Sequence, residues 1–183
     1  MGKVGNREGG YELWNRAQPL NSVELMGSVN ITAKAWDEAM RMAIVEAEAA
    51  AAASGDVPVG AVLLNGSGEI VATGRNEKEL HKDPTAHAEI VAIRKATAAV
   101  QDWRLEDCTL VVTLEPCAMC AAAIVAARIP RVVFGAWDER VGAAGSLYDL
   151  LRDARLGKPV EVIGGVLEAE CANQLKAFFA ASR

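Results

Sequence analysis

From about residue 34 onward the chain switches between a helical and an extended hydrophobic period, whereas the residues before that point sustain neither. Trp36, Met40, Ala43, Ile44, Ala47 and Ala51 fall at i, i+4, i+7, i+8, i+11 and i+15 with charges between them, which predicts an amphipathic helix closed by Gly55. Val59 to Leu64 and Glu69 to Thr73 read as strands joined around Asn65-Gly66-Ser67-Gly68, a hairpin signal. A helix from about His87 to Gln101 carries Ile90, Ile93, Ala96 and Val100 at helical spacing. Thr109 to Leu114 reads as a buried strand leading straight into a helix from 117 to about 128. Apolar strands follow at Arg131 to Gly135 and Val160 to Gly164. The last helix sets Leu167, Cys171, Leu175, Phe178 and Phe179 on one stripe, and there is room for a short helix near 147–154. The order α-β-β-α-β-α-β-β-α predicts a five-stranded sheet covered by helices on both faces.

Residues 1–33, with scattered Gly, Asn and Ser, read as a poorly ordered extension, although Trp14, Leu20, Val23 and Leu25 could dock it on the domain. Met26-Gly27 offers an alternative translational start. Residues 34–183 are expected to form a single domain, since 51% hydrophobic and 23% charged composition is globular and the length supports one core. No apolar stretch follows Lys3, Arg7 and Glu8 as a signal peptide would require, and the longest apolar run, Cys117 to Ala127, is too short for a membrane span. Four cysteines do not make a secreted disulfide framework, so reduced thiols in the cytoplasm are expected.

Two segments carry the chemistry: His87-Ala88-Glu89 and, after 26 residues, Pro116-Cys117-Ala118-Met119-Cys120. Together they offer three zinc ligands, His87, Cys117 and Cys120, and one carboxylate, Glu89, that need not be a ligand. Structural zinc is usually closed by four protein ligands, whereas three leave a position for a water whose pKa falls to roughly 7. Cys117 and Cys120 share one helix face, and Pro116 suits the start of that helix. His87 and Glu89, two residues apart, belong near a first turn, where the helix dipole favours thiolate and bound anion alike. Either half alone is weak, since CxxC also occurs in structural sites and redox pairs. A closed structural site would need Cys108, Cys171 or His81 as fourth ligand. Cys108 and Cys171 read more simply as small core residues, while His81 is open between fourth ligand and ordinary loop histidine. HxE with PCxxC is the signature of the zinc nucleobase deaminases.

DVPVGAVL at 56–63, HKDPTAHAEIVAIRKA at 81–96, TLVVTLEPCAMCAAAIVAARIPRVVFGAWD at 109–138 and GAAGSLYDLL at 142–151 resemble the bacterial tRNA-specific adenosine deaminases, over about residues 35–180. HxE and PCxxC are common to the wider cytidine deaminase superfamily, while GAAGSL after VVFGA is similar to the tRNA enzymes in particular. The resemblance implies a three-layer α/β/α cytidine deaminase-like fold with a central five-stranded mixed sheet. It also implies one Zn2+ per subunit on His87, Cys117 and Cys120, no organic cofactor, and Glu89 as proton shuttle in attack at C6 of adenine. The implied substrate is the wobble adenosine of a tRNA anticodon stem-loop, chiefly that of an arginine tRNA, and the implied assembly is a homodimer drawing on both subunits. Asn76 matches the asparagine that hydrogen-bonds the flipped base, and Asp138 a residue close to the substrate backbone. Asn76 could instead merely end a strand, and Asp138 lie in a solvated loop.

Some positions depart from the family. Trp137 stands where relatives often carry a polar or basic residue, either to stack on a nucleotide or to cover the core, and few basic residues follow Phe178 and Phe179. A net charge of −5 gives no long-range attraction to phosphate. Its distribution is uneven: residues 126–183 hold 8 Lys/Arg against 7 Asp/Glu, and residues 1–125 hold 11 against 17. Arg128, Arg131, Arg140, Arg152, Arg155 and Lys158 could form a basic face or simply a solvated one. The competing functions are a deaminase of a free base or nucleoside such as guanine or cytosine, which GAAGSL disfavours, and a zinc-stabilised binding module, which the free carboxylate of Glu89 disfavours.

Overall fold

A computed structural model describes residues 33–181. The chain order is α1 (Ala33–Ser54), β1 (Gly60–Leu64), β2 (Ile70–Arg75), α2 (Lys78–His81), α3 (Ala88–Val100), β3 (Thr109–Leu114), α4 (Ala118–Ala126), β4 (Arg131–Ala136), β5 (Glu161–Ile163) and α5 (Glu168–Ala181). The expected extension, with Trp14, Leu20, Val23, Leu25 and Met26, lies outside the described residues. Every long element anticipated from periodicity is present, and α2, a single turn, is additional; four residues are too few to show a period.

The five strands form one sheet in the order β2-β1-β3-β4-β5. β1 pairs antiparallel with β2 and with β3, while β3–β4 and β4–β5 are parallel, so the sheet is mixed. The hairpin closes as the turn residues require: Asn65 Oδ1 accepts from the Ser67 and Glu69 amides at 2.9 Å, and Gly68 takes φ +83°. Alternate strand residues feed two cores. Ala61, Leu63, Leu110, Val112, Val132 and Phe134 pack with Ala88, Ala92 and Ala96 of α3 and Ala121 and Ile124 of α4. Val62, Leu64, Val111 and Val133 pack with Ala39, Met40 and Ala43 of α1 and Cys171 of α5. The layers are therefore helix, sheet, helix. Both Cys108 and Cys171 are small buried core residues, as expected.

Small residues set how close the helices lie. A Cβ on Gly74 of β2 would collide with the backbone of Ala88 and Ala92, and one on Gly60 of β1 with the backbone of Ala43 and Ala47. The alanine stripes of α3 and α1 thus lie almost backbone to backbone on the sheet. The start of α3, which carries His87 and Glu89, takes its height above the sheet from this contact.

Two local expectations fail. Residues 147–154 are turns rather than a short helix: Leu150 N donates to Ala143 O, Val160 N to Leu151 O, and Ala144 bridges Asp149, so this backbone bonds mainly to its neighbours, with one internal turn bond from Asp153 N to Leu150 O. The C-terminal stripe is also narrower than expected. Leu167 precedes α5 with φ 51°, and Phe179 is exposed, stacking edge-on against Phe178. Gly74→Ala is expected to destabilise the fold by about 2 kcal/mol, read as a lower urea midpoint at unchanged slope, because α3 must lift from β2.

Candidate metal centre and active site

Two helix starts meet beyond the carboxyl end of β3. Asp83 Oδ1 accepts from the Thr85 amide at 2.8 Å and hydroxyl at 2.7 Å, His87 N donates to Thr85 O at 2.8 Å, and this turn delivers His87 as the extended N-cap residue of α3. Leaving β3, the chain passes through Glu115 and Pro116 to Cys117, the N-cap residue of α4, with Cys120 one turn further. Pro116 stands just before the N-cap, outside the helix, so its missing N–H removes no intrahelical bond.

His87 Nδ1 lies 3.7 Å from Cys117 Sγ and 3.6 Å from Cys120 Sγ. All three ligand atoms fall within 4.8 Å of one another. A tetrahedral zinc with the usual bond lengths of about 2.3 Å to sulfur and 2.0–2.1 Å to nitrogen requires N···S edges of about 3.6 Å. The donors are therefore already spaced for zinc and match its chemistry. The alternatives for a fourth ligand are not in reach: Cys108 and Cys171 sit in the cores, and His81 Nε2 faces Glu77 Oε2 at 3.4 Å. The hydrogen bond from Cys120, helped by His87, brings the Cys117 thiol down to about 4, while the same bond and burial push the Cys120 thiol up. The bond to Cys117 raises His87.

Glu89 occupies the first turn of α3 and is 4% exposed. Burial pushes its carboxyl up to about 7. It shares a cavity of about 200 Å³ with His87, Cys117, Asn76 and Asp138, walled by Val57, Val59, Leu114 and Val141. That volume is below the roughly 300–1,000 Å³ of most ligand cavities and suits one nucleobase. Asn76 follows β2, its Nδ2 donating to Val57 O at 3.2 Å, while its buried Oδ1 has no partner among the described residues. Asp138 Oδ1 accepts from the Arg140 amide at 2.9 Å and the Val141 amide at 3.3 Å. All six candidate residues named from sequence are thus near this one cavity, Cys120 behind its wall and the other five lining it. A larger cavity of about 710 Å³, at the C-terminal end of α4, holds none of them.

Sequence reasoning missed Lys78 and Glu115, which also line the small cavity. It missed Asp56 as well, a buried carboxylate that accepts from the Glu79 amide at 2.8 Å and the Leu80 amide at 3.2 Å and so ties α2 beside the cavity. Lys78 stands in a helix too short to be seen. Glu115 is adjacent to Pro116-Cys117, which marked the place but not the role. Burial pushes Glu115 up, yet hydrogen bonds from Ser146, Asp138 and Ala144 outweigh it and hold the carboxyl below the usual range. Trp137 packs edge-on against Phe134 at 4.7 Å and over Gly145 and Gly164, so its body covers the core while 46% of the residue stays exposed. Four of the six expected basic side chains are ion-paired: Arg128 with Glu106, Arg131 with Glu161, Arg152 with Asp149 and Arg155 with Asp153.

Residues 34–136 match the family model described as the cytidine and deoxycytidylate deaminase zinc-binding region. The chain is 49% identical over 140 residues to a tRNA-specific adenosine deaminase of Bacillus subtilis (strain 168), covering 76% of this chain and 86% of the relative. It is 45% identical over 144 residues to a protein of the same description from Haemophilus influenzae, covering 79% of this chain and 83% of the relative. A solved structure from studies of A-to-I editing by tRNA:A34 deaminases at the wobble position of transfer RNA superposes with a TM-score of 0.72 at 41% identity, covering 75% of this chain and 98% of that one.

Elemental analysis of the purified chain is expected to give one zinc per polypeptide, with Cys120→Ser removing it. Zinc affinity should fall as pH is lowered, since His87 and Cys120, both shifted toward the protonated form, must release protons to bind it. Titration calorimetry in buffers of different ionisation enthalpy measures that release.

Proposed function

The chain belongs to the tRNA-specific adenosine deaminases of the zinc-binding cytidine and deoxycytidylate deaminase family, and from that we propose that it hydrolyses the wobble adenosine of a tRNA anticodon loop to inosine, releasing ammonia. The observation that carries this reading is Glu89: a buried carboxyl beside a three-ligand cluster, in a cavity sized for one base. A site meant only to hold the fold together has no use for it.

His87, Cys117 and Cys120 hold the zinc, and Glu89 stays outside the ligand set. When bound there, zinc supplies an acidified water next to the base. Glu89 would take up a proton on its carboxylate, pass it to N1 of adenine, and carry a second proton to the departing N6 amine. Burial raises this carboxyl above the usual carboxylate range, which suits a group that must both take up and give back a proton. Asn76 holds the flipped base, a role its unpartnered Oδ1 supports, and Asp138, at the cavity rim formed with Val141, faces the sugar-phosphate backbone. The walls of Val57, Val59, Leu114 and Val141 exclude bulk water from the reacting atoms.

The reading extends to residues 34–183 acting as one deaminase domain, to an arginine tRNA as substrate, and to a cytoplasmic homodimer with one zinc per subunit. No helix of the described residues is long and apolar enough to cross a membrane. Ala118, Ala122 and Ala126 form an exposed stripe along α4 that lets a second copy approach closely.

Zinc-loaded protein should form inosine at the wobble position of an arginine tRNA anticodon stem-loop, read by sequencing. It should leave free guanine, cytosine, adenosine and cytidine unchanged. Ammonia from a free base alone would move the substrate assignment to the metabolic deaminases. Glu89→Ala should keep its zinc and lose about 10²- to 10⁴-fold in rate; undiminished turnover in that variant would end the proton-shuttle assignment.

A further inference from the structure

We propose that Glu115 is a positioning residue whose carboxylate fixes the 138–146 segment against the start of α4 and thereby sets where Asp138 and Val141 stand at the mouth of the base cavity. The inference rests on the deaminase reading for its substrate but on geometry for its content. Glu115 is 2% exposed, and both its oxygens are used. Oε2 accepts from the Asp138 amide at 3.0 Å, and Oε1 from the Ala144 amide at 2.9 Å and the Ser146 amide at 3.0 Å. Three backbone donors separated by eight residues thus converge on one buried anion, an arrangement that only a folded-back segment can make.

The segment is wrapped round that anion tightly enough to dictate a residue type. A Cβ on Gly142 would collide with Glu115 Oε2, Asp138 O and Ser146 Oγ together. The wrap is closed by Ser146 Oγ donating to Asp138 O at 2.7 Å and Gly142 N donating to the same oxygen at 2.9 Å. It is joined to the metal helix by Ala143 N donating to Pro116 O at 2.8 Å and by the bridge between Gly142 and Cys117. Glu115 therefore stands between two things that must keep register: the helix start that presents Cys117, and the loop that presents Asp138 and Val141. Without the carboxylate, the buried Ala144 amide and the part-buried Asp138 and Ser146 amides lose their acceptor at once, and the segment has every reason to open toward water.

The test uses Glu115→Gln and Glu115→Ala in the full chain. Gln keeps one acceptor and turns an NH₂ toward a backbone N–H; Ala removes both acceptors. Zinc content should equal that of the unmodified protein in Glu115→Gln. Amide hydrogen exchange at Asp138, Ala144 and Ser146 should accelerate about tenfold or more, while Val133 in β4 keeps its protection. With the anticodon stem-loop, KM should rise about tenfold and kcat change much less, the Ala variant exceeding the Gln variant. Unchanged exchange at those three amides in a folded variant overturns the proposal, as does loss of zinc with kcat and KM both collapsing in Glu115→Gln, the sign of a merely structural role. Should Glu115→Ala not fold, the Gln variant decides alone. Failure of the unmodified protein to make inosine would count against the deaminase reading and leave the exchange result standing.

Discussion

Helix α3 rests on β2 with hardly an atom between the two backbones, and the chemistry depends on that contact. Gly74 gives the space and Ala88, Ala92 and Ala96 use it, so the first turn of α3 comes down to the level at which His87 Nδ1 meets the sulfurs of α4. Zinc bond lengths vary by only about 0.2 Å, whereas a single added methyl at such a contact shifts a helix by more. The metal site is therefore a consequence of packing several residues away, and its ligands need no strained backbone to converge.

Two buried carboxylates serve the walls of the cavity in the same way that the glycine serves its floor. Asp56 holds α2, and with it Lys78, while Glu115 holds the 138–146 segment, and with it Asp138. Among the described residues neither stands in a salt bridge: Asp56 accepts from two backbone amides and Glu115 from three, which offsets the burial of the charge. Glu89 is the contrasting case. Burial raises its carboxyl instead of being offset, which leaves it free to exchange a proton.

The acidity of the chain bears on how an RNA would be met. With a net charge of −5 and most of the later arginines paired to acidic neighbours, the surface offers little long-range attraction. Exposed ion pairs of this kind contribute little to stability, and their main effect here is to cancel the charge of the guanidinium groups. On the proposed reading, recognition would fall on short-range features near the cavity: the amide oxygen of Asn76, which has no partner among the described residues, a carboxylate on Asp138, and the half-exposed ring of Trp137 over the adjoining core.

Sequence by itself determined the strands, the long helices, their order and the four chemical groups of the metal motif, because periodicity and ligand spacing are local properties and the elements are long enough to express them. It also placed the hairpin, since Asn65 and Gly68 are required by the turn they make. Short or irregular segments stayed hidden. The single turn of α2 has no period to read, and 147–154 had the composition of a helix but bonds to Ala143, Ala144 and Val160 instead. Only the tertiary structure decided that Cys108, Cys171 and His81 stand apart from the ligands, that Glu115 is a hub of three amides, and that Asn76 and Asp138 share a cavity with Glu89. Those are distances between residues remote along the chain, and they are fixed by how two helix starts and a loop pack on one sheet, which no local pattern encodes.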